Sequence, residues 1–144
     1  MGDGEGEPAV GRGTYVLVFR VAPEISTRFG EFLGGYCYVG SAMGPGGISA
    51  RVGRHLRERK VLKWHIDHIT ASSSFDPVAV YATSDPVECL VASSLARSHR
   101  GVPGFGCSDC RCASHLFAVE DPGQLERELL GLGLVKVRLE AIGG

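Results

Sequence analysis

Arg51 and His55 stand four residues apart, so any helix that carries them presents both on one face. Just ahead of them runs YVGSAMGPGG (38–47), and two strand-type tyrosines, Tyr15 and Tyr38, lie further upstream. A cation, an imidazole and two phenols beside a glycine-rich turn can hold a phosphodiester, because its hydrolysis needs charge stabilisation and positioned proton donors and acceptors. The glycines match neither a nucleotide P-loop, which needs Gly-Lys-Ser/Thr after them, nor the Gly-x-Gly-x-x-Gly of a dinucleotide fold. The ordinary alternative for Tyr15 and Tyr38 is a pair of core tyrosines with satisfied hydroxyls. A second cluster is Cys107-x-x-Cys110-x-Cys112-x-x-His115, where ligand types that suit zinc crowd into nine residues. His65 or His68 is available as a further ligand. The alternative is a loop of semi-buried thiols. A third feature is the basic block from Arg51 to Lys63, in which Arg54, Arg57, Lys60 and Lys63 are suited to phosphate contacts or to a solvated face.

These residues need elements to position them. TYVLVFRV (14–21) reads as a buried strand and YCYVG (36–40) as a second, paired with it as an antiparallel hairpin across a long connection with a short helical turn at EISTRFGEF. Ile48, Val52 and Leu56 recur at helical spacing and predict an amphipathic helix over 47–59. KWHIDHIT (63–70) and VAVYAT (78–83) read as strands, with His65 and Asp67 on one face of the first. Asp85-Pro86-Val87-Glu88 has the form of a capping box opening a helix that buries Val87, Leu90, Val91 and Leu95. A cysteine-rich loop at 103–115, a strand SHLFAV, a helix near 122–131 and a last strand LVKVRLE follow. The order predicts an α+β fold, a small and mainly antiparallel sheet flanked by helices.

GTY (13–15), YVG with a following serine (38–41), Arg51-x-x-x-His55 and a later helical Glu88 resemble the GIY-YIG nuclease superfamily. YVGSAMGPGGISARVGRHL, KWHIDHIT and GFGCSDCRCASHLF are similar to an uncharacterised, largely archaeal branch of it, some of whose members are fused to an endonuclease-III-type DNA glycosylase. The resemblance implies a GIY-YIG-like fold and a Mg²⁺- or Mn²⁺-dependent endonuclease acting on DNA, in repair, with a glycosylase or other repair protein as partner. It implies that Tyr15 helps deprotonate the attacking water, that Glu88 holds the metal and that Arg51 stabilises the phosphate, with Tyr38 and His55 positioning these parts. A non-catalytic nucleic-acid-binding module with the same fold is the alternative. Thr14 stands where isoleucine is usual, and 22 residues separate Tyr15 from Tyr38, about twice the superfamily's spacing, so the hairpin is expected to carry an insertion.

The bulk composition is consistent with one domain over 13–144 behind a disordered leader, 1–12. Of 144 residues, 44% are hydrophobic and 22% charged, the balance of a globular protein with its own core. No apolar run is long enough for a membrane span, and the acidic, glycine-rich start lacks the features of a secretion signal, so a cytoplasmic protein is expected. The chain holds no asparagine and one glutamine, Gln124, a depletion that fits a heat-adapted protein.

Overall fold

The computed structural model describes residues 11–57, 60, 62–106 and 112–141. Five strands, β1 (Gly13–Thr27), β2 (Gly30–Ala42), β3 (Phe75–Thr83), β4 (Leu116–Ala118) and β5 (Val135–Val137), form one sheet in the order β4-β2-β1-β3-β5. Every neighbouring pair is antiparallel. The helices are α1 (Gly47–Leu56), α2 (Asp67–Thr70), α3 (Glu88–Leu95) and α4 (Pro122–Gly131), with a 3-10 turn at Leu139–Ala141. The α+β reading holds. Among the described residues no helix is long and apolar enough to cross a membrane.

β1 is the central strand and is buried on both faces. Its alternation sends Tyr15, Leu17, Phe19 and Val21 to one side, against Ile48 and Val52 of α1 and Ile66 and Ile69 at α2. Val16 and Val18 point the other way, toward Val91 and Leu95 of α3 and Leu125 and Leu129 of α4. Helices therefore cover both faces of an antiparallel sheet. Gly11 already belongs to this fold, because its carbonyl accepts the Ile48 N–H at 2.9 Å. Of the expected leader, Gly11 and Arg12 are described and 1–10 lie outside the described residues.

Several expectations about elements are corrected. EISTRFGEF makes no helical turn: the two strands continue to Thr27 and Gly30 and join through Arg28 and Phe29 alone. The surplus residues lengthen the hairpin. Its register shifts between Val21 and Ile25, a defect that bends a strand pair. The bent tip brings Phe29 to 4.5 Å from the His65 ring and 5.0 Å from that of Phe105. KWHIDHIT is a turn entering α2, not a strand. α1 stops at Leu56, with Arg57 extended, and the last strand covers only Val135–Val137. The capping box is absent. α3 begins at Glu88 behind Val87, with no side-chain cap, and it buries Ala92 beside Val91 and Leu95 while Leu90 is exposed. Among the described helices a side-chain cap is found instead on α4, where Asp121 accepts the N–H groups of Gly123 and Gln124 and Pro122 opens the helix.

Candidate active site

Tyr15 and Tyr38 lie diagonally across the β1–β2 ladder, where Tyr15 opposes Gly40 and Tyr38 opposes Leu17. Their ring centroids are 6.4 Å apart. Gly40 is the residue that makes room: a Cβ there would stand 2.3 Å from Cζ and Oη of Tyr15. The Tyr15 hydroxyl is 2.6 Å from His55 Nε2, and both residues are buried. Burial is the chief cause that lowers the His55 pKa to about 3, with the Lys60 charge next, so the imidazole is neutral. Its Nδ1 has no hydrogen-bond partner. An orphaned acceptor costs less than an orphaned N–H, which favours the tautomer in which Nε2–H donates to Tyr15. Burial and the neighbouring Tyr38 push the Tyr15 pKa well above its ordinary value, while Arg51 pulls it down by charge and hydrogen bond and Glu88 pushes it up. Tyr15 is a phenol at neutral pH.

Arg51 is fixed from two sides. Nη1 donates to the Ser41 carbonyl at 2.9 Å, and the guanidinium lies over the Trp64 ring at 4.4 Å. Arg54 covers the same ring at 4.1 Å and makes a two-pronged ion pair with Asp67, at 2.6 and 2.8 Å. Asp67 also accepts the Lys63 and Trp64 N–H groups. Those hydrogen bonds outweigh burial and hold its pKa down at about 2. His65 and Asp67, expected on one strand face, take separate partners: Asp67 serves Arg54, and His65 Nδ1 accepts the Gly106 N–H at 2.9 Å. Lys60 closes the end of α1 by donating to the carbonyls of Arg54 and His55 and to Thr70 Oγ1. Desolvation lowers its pKa to about 8. Of the basic block, Arg54 and Lys60 are thus tied inward, whereas Arg57 and Lys63 are exposed.

Glu88 reaches the same place from the opposite face of the sheet. Thr14, the departure from the expected isoleucine, explains how: its Oγ1 donates to the Asp85 carbonyl at 2.8 Å and accepts the Val87 N–H at 3.0 Å, pinning the start of α3 to β1. Tyr15, Tyr38, Arg51 and Glu88 line one cleft of about 350 Å³, with His55 behind Tyr15. Arg28, Ser41, Trp64 and His65 line it too, and sequence reasoning had given them no role there. The expected insertion was the one signal for Arg28, which the bent hairpin delivers. The glycines of 44–47 do not line this cleft. Gly46 and Gly47 have φ of +83° and +62° and turn the chain into α1, where Gly47 N–H bonds to the Gly44 carbonyl.

On the far side of Glu88 lies a group of ligand atoms. Cys89, Cys112 and His115 bring them within 4.8 Å of one another, close enough to bind a metal ion. The expected set shared Cys112 and His115 with this one, but Cys107 and Cys110 lie outside the described residues. Cys89 was missed because it is distant in sequence.

Residues 14–133 match a family described as a domain of unknown function, DUF123. The chain belongs to this family. No match exists among curated proteins or solved structures.

Proposed function

We propose that this DUF123 protein is a metal-dependent endonuclease of GIY-YIG type that hydrolyses DNA phosphodiesters, with repair intermediates as its substrate class. One observation carries the reading: Tyr15 of β1, Tyr38 of β2, Arg51 of α1 and Glu88 of α3 come from four elements and line a single cleft. The donor set suits Mg²⁺ or Mn²⁺, which take oxygen ligands and need as little as one protein carboxylate when waters and substrate phosphate complete the shell. Glu88 is the carboxylate in the cleft lining and would hold the ion. A bound ion supplies positive charge that polarises a phosphate oxygen, acidifies a bound water and offsets the Glu88 charge.

The chain's own residues do the rest. Arg51, held over the Trp64 ring, offers N–H donors to a non-bridging phosphate oxygen and stabilises the charge that develops there. Tyr15 carries the proton on Oη at rest, and the Glu88 charge is one of the causes that keep it there. With that charge offset, Arg51 and the His55 Nε2–H both favour the phenolate, which is the form that takes a proton from water. Exposed Lys63 and Arg28 at the rim meet the flanking backbone. A binding module without catalysis is the second reading. It is favoured by the high Tyr15 pKa and by the Arg51–Trp64–Arg54 stack, a cationic aromatic platform that binds without cutting.

Labelled duplex, single-stranded, flapped and lesion-bearing DNAs, incubated with the protein in Mg²⁺ or in EDTA, test the proposal. Cleavage in Mg²⁺ alone is expected, with Glu88→Gln and Tyr15→Phe binding DNA but not cutting it, and Arg51→Ala slowed on the order of 100-fold or more. Salt-sensitive binding with no cleavage of any substrate would hand the case to the binding module.

A further inference from the structure

We propose that Cys89, Cys112 and His115 form a zinc site, and that Glu88 joins it to the cleft by holding the His115 ring. The three ligand atoms lie within 4.8 Å of one another. Thiolates sharing a tetrahedral zinc sit about 3.8 Å apart, given a Zn–S bond of about 2.3 Å, so closure on an ion asks for movements of about an ångström or less. Two sulfurs and an imidazole are a soft set, which selects zinc over the hard cations that suit a carboxylate and a phosphate.

The tautomer of His115 argues in the same direction. Its Nδ1 is 3.1 Å from the Val39 carbonyl oxygen and 3.0 Å from Glu88 Oε2. Both neighbours are acceptors, so Nδ1 carries the hydrogen. In the neutral ring the lone pair is then on Nε2, so this tautomer ligates a metal through that atom. A carboxylate that accepts from one imidazole nitrogen while the other binds zinc is the recurrent way to fix such a ligand. Cys37 is a useful contrast within the same chain. It is fully buried, and burial together with the Glu128 charge pushes its thiol pKa up, so it stays protonated. Cys89 is exposed on the first turn of α3, so an ion can reach the three ligands from solvent. Zinc here would tie the start of α3 to the segment entering β4, and so fix Glu88 from behind.

Metal analysis of protein purified without a histidine tag and incubated with excess zinc tests the site without any reading of cleavage. One zinc per chain is expected, with a sulfur-to-metal charge-transfer band when cobalt replaces it. Cys89→Ala, at an exposed position that leaves the fold intact by circular dichroism, should lose the zinc and the band. Glu88→Ala should weaken zinc roughly 10- to 100-fold in competition with a chelator, and Glu88→Gln, which still accepts from Nδ1–H, should recover much of that loss. Stoichiometric zinc in Cys89→Ala, or wild type that takes up none and joins Cys89 to Cys112 as a disulfide, overturns the site. Unchanged affinity in Glu88→Ala overturns the link to the cleft.

Discussion

At the scale of single residues, the side chains with distinctive chemistry were legible and their supports were not. Tyr15, Tyr38, Arg51 and His55 could be picked out by type and spacing, Glu88 through the GIY-YIG resemblance, and the fold sets all five around one place. Trp64 could not, because its part is to carry two guanidiniums over its ring, and only tertiary structure brings them together there. Gly40 is intermediate, a visible member of YVG whose reason appears only in the strand register. That reason makes a prediction. Gly40→Ala adds a single methyl, yet its Cβ would sit 2.3 Å from the Tyr15 ring, in a core with no slack. Overpacking of this kind costs roughly 1–3 kcal/mol. Thermal unfolding should register that loss, and the Tyr15–His55 hydrogen bond should break as the ring is pushed aside. Unperturbed stability together with an unshifted His55 resonance in NMR would show that the ring has room after all.

At the scale of elements, period-two alternation misled where one buried carboxylate decides the backbone. W-H-I-D-H-I-T alternates well enough for a strand, but Asp67 gathers the Lys63 and Trp64 N–H groups and the Arg54 fork, and so closes a turn into α2. Nothing local in the sequence announces a partner 13 residues upstream. The same logic erased the capping box at Asp85: Thr14, 71 residues away, takes the Asp85 carbonyl. The Arg54–Asp67 pair is buried on the Asp67 side, so Asp67→Asn leaves a guanidinium facing an amide and two N–H donors with a weaker acceptor. Breaking a buried pair typically costs about 3–5 kcal/mol. Denaturant unfolding should move by about that much. Emission from Trp64, the chain's single tryptophan, should change as the guanidinium stack loosens. A loss under about 1 kcal/mol would mean that the pair is a surface-type bridge after all.

At the scale of the whole molecule, the sheet is a wall with a helix layer on each side, and the cleft draws residues from both layers. Its consequence for stability rests on His55, which the fold keeps neutral at a cost that depends on pH. Unfolded, this histidine titrates near 6.5, whereas folded it does so at about 3. Between those values the unfolded chain binds a proton that the folded chain refuses, so stability is whole above pH 6.5 and falls as the solution is acidified toward 3. The slope for one such proton is about 1.4 kcal/mol per pH unit. Asp67 adds its own loss only lower, as pH drops from its unfolded value near 3.8 to about 2. Lys60 acts at the other end, its folded pKa of about 8 against 10.5 unfolded, so stability rises as pH climbs through that interval. Unfolding free energies measured from pH 7 to pH 4 separate the histidine from both neighbours. Wild type should lose stability steadily across that window, and His55→Gln, whatever its starting stability, should show a slope shallower by about one proton. Parallel slopes in the two proteins would mean that His55 takes up its proton in the folded state without protest, and the buried neutral imidazole behind Tyr15 would have to be abandoned.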